Sequence, residues 1–560
     1  MVALAVDVHT VPTRDGRLRP AFGRCSVLVG LSGFQGGYQV GQPEDSGVLR
    51  REVTVWGSFM WGYADVGADI YTALGLVAGA AMGATPVAFA VAGIVYLLVG
   101  LAYTELASSY PVAGGGQYFT LRGLGDVWGF ICGAALLLDY TIDISLFAVS
   151  SSGYFNFFLP ALGVHIQDFA VTIGPFVGVN LLWLGETLAI IAFLITINYV
   201  GIRISSRINE VLGVVAILGQ VVIVVFGFVF AWDPNQMLLQ LRLQFPNLHN
   251  FMYGSSLAII SFVGLESISQ VSQETRRPAT IVPRTSISLV LNVLIFALAF
   301  SVLGMGLLPW QVLGAHPGDP IAIVAQKIPI IGAIAAPMTA LIGGVIVLIS
   351  SNSGVMSASR LTYSMSTFHL LPEWFSAVHP RYHTPYRTII VFSLVAVVQA
   401  ILAFLTSQAM GTLANMYAFG ATFGYLLVFV SLIVLRFKDP YSPRPYRMPL
   451  NIPLKRKGDG GPAVAFPVLA VIGFLGVGTI LFEVILTHAI GRIAGPAWVL
   501  VMLLFYYIYR RKAGMSPWRA LPRDWEAAQR RTLRDAEEYE LLAEYEAALA
   551  DKAARGGQQP

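Results

Sequence analysis

Twelve apolar segments, each about long enough to cross a bilayer, dominate this 560-residue chain. They lie near 56–80, 85–108, 126–153, 181–202, 207–232, 250–273, 285–308, 333–364, 387–407, 411–436, 464–488 and 494–510. A hydrocarbon core takes about twenty residues of helix. Only helices and closed barrels satisfy their own backbone hydrogen bonds there, and runs of this length select the helix. The eighth run exceeds what a crossing needs, so it is expected to tilt or to continue into the cytoplasm. Charged residues make up 12% of the chain, about half the share of a soluble protein. The expected fold class is an all-α membrane protein of twelve transmembrane helices.

Most of the basic residues that flank the spans fall on alternate connections, and the opposite loops are poor in Lys and Arg. Arg50 and Arg51 precede the first span; Arg122 follows the second and Arg203 and Arg207 the fourth. Arg276, Arg277 and Arg284 follow the sixth, Arg360, Arg381 and Arg387 flank the end of the eighth, and Arg436 to Lys457 supply a basic stretch after the tenth. Arg510, Arg511 and Lys512 close the twelfth, whereas 154–180 and 408–410 hold no Lys or Arg. The positive-inside rule then predicts a multi-pass cell-membrane protein with both termini cytoplasmic. An odd number of spans would scramble this segregation.

Several functions are disfavoured at once. A net charge of +4 does not imply nucleic acid. Cys25 and Cys132 form no disulfide framework or metal motif, and Cys132 is expected to be a packing residue. There is no P-loop, and His165, His369, His379 and His383 lack metal-ligand spacing. No enzyme and no cofactor is expected. The first fifty residues lack a basic stretch followed by an apolar one, so no cleavable signal is read there.

Four aspartates stand inside the apolar runs: Asp65 and Asp69 in the first, Asp139 and Asp143 in the third. A charged residue at mid-membrane costs roughly 2.5–3.5 kcal/mol on insertion scales, so the default expectation is a cation or proton path. Asp139 and Asp143 are four apart and share a helix face. Two carboxylates so close cannot both ionise cheaply unless a cation lies between them. The alternative is polar packing against Ser, Thr or Tyr of other helices. Tyr63 and Tyr71 could donate hydroxyls or stack over a cation, or simply pack.

Glycines mark two spans. Gly62 and Gly67 surround the first pair of aspartates, and Gly254 and Gly264 lie in YGSSLAIISFVGLESIS, with Glu266 beside Gly264. Each costs about 1 kcal/mol against alanine in a helix. Close packing and local unwinding around a wet site are both open. The segments are five spans apart, as in an inverted repeat of spans 1–5 and 6–10.

At this point the chain resembles the amino acid–polyamine–organocation (APC) transporter superfamily, over roughly residues 48–450. The stretches that carry the likeness are LRREVTVWGSFMWGYADVGADIY, YLLVGLAYTELASSYPVAGGGQYFTLRGLGDVWGFICGAALLLDY, SFVGLESISQVSQETRRPATIVPRTS and SNSGVMSASRLTYSMSTFHLLPEWFSAVHPRYHTPYR. The resemblance implies a five-plus-five inverted-repeat (LeuT-like) core with broken helices 1 and 6, plus two further spans. It also implies alternating access around a central site, and uptake of an amino acid or amine coupled to a proton or cation gradient.

The implied divisions are a cytoplasmic segment 1–50, a transport core 51–436, a cytoplasmic loop 437–463, helices 11 and 12 over 464–512, and a cytoplasmic helical tail 513–560. The tail carries an apolar stripe of Leu533, Leu541, Tyr545 and Leu549. The expected site comprises Asp65, Gly67, Asp69, Tyr71, Asp139, Tyr140, Asp143, Phe262, Gly264 and Glu266. Phe262 resembles the family's aromatic gate. Asn352 and Ser353 could offer oxygens to a sodium ion, with helix–helix hydrogen bonding the favoured reading, and Tyr417 and Tyr425 could line the site. Glu105 and Glu274 are expected in ion pairs with loop arginines.

One departure bears on substrate. Many carriers of the superfamily hold the substrate carboxylate on free amides of a Gly-Ser-Gly-like break. Here the stretch is Gly67-Ala68-Asp69, and an ionised Asp69 would repel a carboxylate. Asp69 is therefore protonated, turned away or paired with a cation, or the substrate is not a simple amino acid. Asp139-Tyr140 also resembles the Asp-Tyr pair of potassium importers in this superfamily. Asp65 and Tyr71 could fill their helix 1 roles at a spacing different by one residue. A proton-coupled potassium importer is the alternative expectation, and a membrane ligand sensor a weaker one. The expected partners are the lipid bilayer, a small-molecule or cation substrate and a coupling proton or cation.

Overall fold

The computed structural model describes residues 54–556 apart from 174, 175, 201, 202, 271, 383, 407 and 455–463. The segment 1–50, Cys25 and the side chain of Glu274 lie outside the described residues. Span 1 is two helices, α1 (Val55–Val66) and α2 (Ile70–Ala81). Span 2 is α3 (Thr85–Ser109), followed by the short α4 (Gly116–Leu124) and span 3, α5 (Asp126–Asn156). A β-hairpin of β1 (Ala170–Ile173) and β2 (Phe176–Asn180) leads to spans 4 and 5, α6 (Leu181–Val200) and α7 (Arg203–Phe230). After α8 (Pro234–Leu243), span 6 consists of α9 (Leu248–Ala258), a 3-10 turn and α10 (Glu266–Gln270). Span 7 is α11 (Pro278–Leu307), then α12 (Trp310–Ala315) and α13 (Pro320–Gln326) precede span 8, α14 (Gly332–Thr367). Spans 9 and 10 are α15 (Tyr386–Phe404) and α16 (Ala409–Lys438). A second hairpin, β3 (Asn451–Leu454) with β4 (Val464–Pro467), opens spans 11 and 12, α17 (Val468–Thr487) and α18 (Gly491–Lys512). The tail folds into α19 (Trp525–Asp535) and α20 (Tyr539–Gly556).

Eleven helical stretches among the described residues are long and apolar enough to cross a membrane. One of them, Ile70–Ser109, is 40 residues long. At 1.5 Å per residue it would reach about 60 Å, twice the hydrocarbon thickness. It breaks at Met82, whose φ is 51°, so α2 completes the first crossing and α3 makes the second. With α1 and α2 taken as one broken span, the expected twelve are present.

Packing follows the five-span offset. The second half of span 1 lies against the first half of span 6 (α2 on α9), and the first half against the second (α1 on α10). Two broken helices whose halves pair crosswise run antiparallel, which is the relation an inverted repeat requires. Span 2 packs along span 7, span 3 along span 8 and span 4 along span 9. Span 3 is buried nearly throughout and is also covered by span 10. Val211, Leu218, Val225 and Val229 of span 5 form an exposed apolar stripe, the side expected to meet lipid. Local signals set the helix starts: Thr54 caps α1, Asn247 caps α9 and Asp524 caps α19, each accepting a backbone N–H from three residues on.

Arginines from several spans and from the tail meet at one end of the bundle. There Glu105 at the end of span 2 receives Arg436 Nε at 2.8 Å and pairs with Arg444. Arg122 pairs with Asp439 at 2.6 Å, and Asp126 pairs with Arg510 of span 12 and Arg523 of the tail. Cys132 is buried with its thiol toward the Gly424 carbonyl, a packing position. The tail, expected as one partly packed helix, is a helical hairpin with Leu533, Tyr545 and Leu549 in a small core of its own.

Candidate functional site

The two breaks differ in kind. In span 1, Gly67 (φ −71°, ψ −19°) and Asp69 (φ −67°, ψ −28°) keep right-handed helical backbone, so the break is a three-residue turn rather than an extended unwinding. Gly67 is required for room, since a Cβ there would overlap the Tyr63 ring. Span 6 unwinds fully: Val263 is extended (φ −84°, ψ 149°) and Gly264 adopts φ +115°, a conformation that favours glycine. A Cβ on Gly264 would lie 2.9 Å from Asp65 Cγ and 3.2 Å from Val66 N. The unwound turn of span 6 is thus pressed against the end of α1.

Five carboxyl groups converge here: Asp65, Asp69, Asp139, Asp143 and Glu266, all buried. Ser353 of span 8 donates to Asp65 Oδ1. Ser350, one turn earlier, bonds the Asp65 carbonyl at 3.0 Å and Asp69 Oδ1 at 3.3 Å. Tyr417 of span 10 donates to Asp143 Oδ1 at 3.3 Å, and Gly354 makes space for that carboxyl, a Cβ there coming within 3.1 Å of Asp143 Cγ. Glu266 Oε2 accepts the Gly264 amide at 3.2 Å and the Tyr425 hydroxyl at 2.7 Å.

The remaining oxygens are the informative ones. Among the described residues no N–H or hydroxyl donates to Asp69 Oδ2, Glu266 Oε1 or either oxygen of Asp139, all of them buried. Asp139 faces Glu266 at hydrogen-bonding range, and Asp143, Asp65 and Asp69 lie close enough to act on one another electrostatically. None of the five joins an ion pair among the described residues. Two bare carboxylates about 4 Å apart repel by about 4 kcal/mol at an effective dielectric of 20. Protons or cations must therefore sit among these groups. No free amide faces a substrate carboxylate at Gly264, because Glu266 already occupies it.

Other expected residues take different places. The Tyr140 hydroxyl accepts from Gln270 Nε2 at 3.1 Å, while Gln270 Oε1 accepts the Gly114 amide at 3.0 Å. Tyr71 lies edge-on to Tyr154, at 5.7 Å, beside Gln220 rather than against the carboxyls. Phe262 stacks on Tyr96 at 5.1 Å and meets the edge of Phe89, so it covers span 2. Asn352 accepts from Asn198 at 2.6 Å, a link between spans 8 and 4. Sequence reading missed Gln220, Ser350 and Gln270. Gln220 accepts the Tyr63 hydroxyl at 2.9 Å and donates to the Gly67 carbonyl at 3.3 Å, holding the turn of span 1. As an amide in the run VLGVVAILGQVVIVV, it carried the same mid-membrane signal as the aspartates.

Known proteins place this architecture. A family profile described as amino acid permease matches residues 54–507. The branched-chain amino acid permease BcaP of Bacillus subtilis is 28% identical over 474 residues, which cover 83% of this chain and 94% of that protein. The methylthioribose transporter of the same organism is 26% identical, with 80% and 90% covered. Cationic amino acid transporter 4 of Mus musculus is 28% identical, with 68% and 58% covered. The likeness to potassium importers finds no counterpart among these relatives. The chain belongs to the amino acid permease family, and it is a multi-pass membrane transporter rather than an enzyme.

Proposed function

We propose that this transporter imports an amino acid or amine together with a proton or another cation, by alternating access around the carboxyl cluster. The observation that carries the reading is five buried carboxyls, on the two broken spans and span 3, with no basic partner among the described residues. Such a site stabilises an ammonium group and exchanges protons, and it repels a lone carboxylate. The relatives' printed substrates are a branched-chain amino acid, methylthioribose and cationic amino acids. They differ too much to name the cargo, so the charge of the site is the better guide. On this reading the arginine-rich end faces the cytoplasm, and both termini with it.

A second reading, proton-coupled potassium import, draws on the same cluster. Unpartnered carboxyl oxygens on Asp69, Asp139 and Glu266 are hard ligands that suit an alkali cation as well as an ammonium group.

Reconstitution in liposomes with an imposed pH gradient separates the two. Uptake of labelled leucine, methionine, arginine, lysine and putrescine would be measured beside rubidium. Uptake of an amino acid or amine, abolished by Asp139→Asn, is the expected result. Rubidium flux with no organic flux would sink the first reading in favour of the second.

A further inference from the structure

We propose that the C-terminal tail, from Arg523 through the hairpin α19–α20, is a strap that ties two helix pairs together at one end of the bundle, and that the site opens to that end only when the strap lets go. The proposal rests on the alternating-access reading above.

The site lies between two pairs. Spans 2 and 7 pack on each other, as do spans 3 and 8, and neither helix of one pair packs extensively on a helix of the other. Span 1 bridges them, and the carboxyls it carries are buried. Opening at the tail end therefore means separating the ends of spans 2 and 7 from those of spans 3 and 8.

The tail grips both pairs at once. On the 2/7 side, Gln529 Nε2 donates to the carbonyl of Ser109, the last residue of α3, at 2.9 Å. Glu538 Oε1 accepts the amide of Ala279 at 3.1 Å. Pro278 opens that helix without an N–H, so Glu538 satisfies a free amide of α11 and meets the positive end of its dipole. On the 3/8 side, Arg523 pairs with Asp126 at the start of α5 and donates to the Phe368 carbonyl just past α14, at 2.9 Å. Between them, Arg122 of α4 donates to Gln529 Oε1 at 3.0 Å, and its guanidinium lies 5.5 Å from the Trp525 ring. Trp525 also meets the edge of Tyr118 at 6.0 Å.

These are side-chain contacts made from outside the spans. Within the hairpin Leu533, Tyr545 and Leu549 pack on one another, while Trp525 packs against the main core. Its contacts to the bundle are polar and charge-assisted, with an aromatic edge at Trp525. Directional contacts of this kind hold one geometry and are lost when the ends they join separate. Gln529 and Glu538 are nonetheless buried beneath the hairpin, at 1% and 4% exposure, so neither is an incidental surface contact. A tail that only solvated the bundle end would not need them.

Hydrogen–deuterium exchange on the full-length protein in liposomes tests the strap without knowledge of the cargo. The comparison is wild type against Arg523→Ala, Gln529→Ala and Glu538→Ala, and a chain ending at 512. The point variants keep the test valid if the shortened chain does not fold. The expected result is amide exchange at least about threefold faster at 104–126 and 266–285, with 309–332 at the opposite end unchanged. Unchanged exchange at 104–126 and 266–285 would overturn the strap, as would faster exchange at both ends alike, which marks general loss of stability. Uptake of the substrate panel in the same liposomes judges the carrier reading separately: faster exchange with no flux of any probe retains the strap and removes alternating access of those cargoes.

Discussion

Gly264 of span 6 and Asp65 of span 1 are in contact across the two breaks, and there is no room for a side chain between them. A Cβ at Gly264 would stand 2.9 Å from Asp65 Cγ, and the residue already adopts φ +115°. Gly264→Ala therefore combines backbone strain of about 1–3 kcal/mol with displacement of a site carboxyl. The expected outcome is a thermal unfolding midpoint lower by several degrees and at least a tenfold loss of uptake. Wild-type stability and flux would mean that the breaks are not coupled through this contact.

Asp139 separates chemistry from packing. It faces Glu266 within hydrogen-bonding range and neither of its oxygens has another partner among the described residues, so Asp139→Asn keeps a polar group toward Glu266 and relieves the repulsion between the two carboxyls. It is expected to leave the unfolding midpoint equal to wild type or higher, while uptake falls at least about tenfold, as for loss of a functional intramembrane acid. A polar packing role gives the reverse pattern, with lower stability and retained uptake.

The fold was legible in the sequence because hydropathy and arginine placement report directly on what lipid and the membrane interface tolerate. The carboxyls were legible for the same reason, each being costly at membrane depth. Orientation around a helix was harder to read. Tyr140 follows Asp139 by one residue, about 100° around the helix, so the two could not point together, and Tyr140 reaches Gln270 instead. The turn in span 1 keeps helical torsions, which is why Tyr71 stays with Tyr154 rather than swinging toward the acids. Gln220 and Ser350 act through spans distant in sequence, and no local pattern pairs them with Gly67 or Asp69. The docking of the tail hairpin was likewise invisible, since its stripe shows an apolar face but not the polar groups that anchor it.

The Glu105 cluster is the clearest structural ion pair. Glu105 is fully buried and is held by Arg436, by Arg444 at 3.4 Å and by the Met448 amide at 2.8 Å. Removing one partner of a buried pair leaves a stranded charge and costs about 3–5 kcal/mol, whereas replacing both by apolar groups is often near neutral. Arg436→Met should lower the unfolding midpoint sharply, with Arg444 and the Met448 amide limiting the loss. The double variant Glu105→Leu with Arg436→Met should recover much of it. Equal midpoints for wild type and Arg436→Met would remove the pair from the stability account.

At the opposite end, the loop after α12 closes over span 1: a Cβ on Gly75 would lie 2.8 Å from Pro317 Cα and 2.9 Å from the His316 carbonyl. His316 pairs with Asp319 at 3.3 Å, and the hydrogen bond to that carboxylate raises the imidazole above its usual range. A raised value means that the charged ring is favoured in the folded loop. The contribution is complete below about pH 6.5, the ordinary histidine value, and is lost as pH rises through the folded value. His316 is half-exposed, so the effect on the whole protein is expected to stay below about 1 kcal/mol. The loop is the place to measure it. Exchange of amides 310–320, corrected for intrinsic rates, should be slower at pH 6 than at pH 8. Asp319→Asn should abolish the difference and return the His316 titration toward the ordinary range. An identical pH dependence in wild type and Asp319→Asn would show that the pair does not fasten this loop.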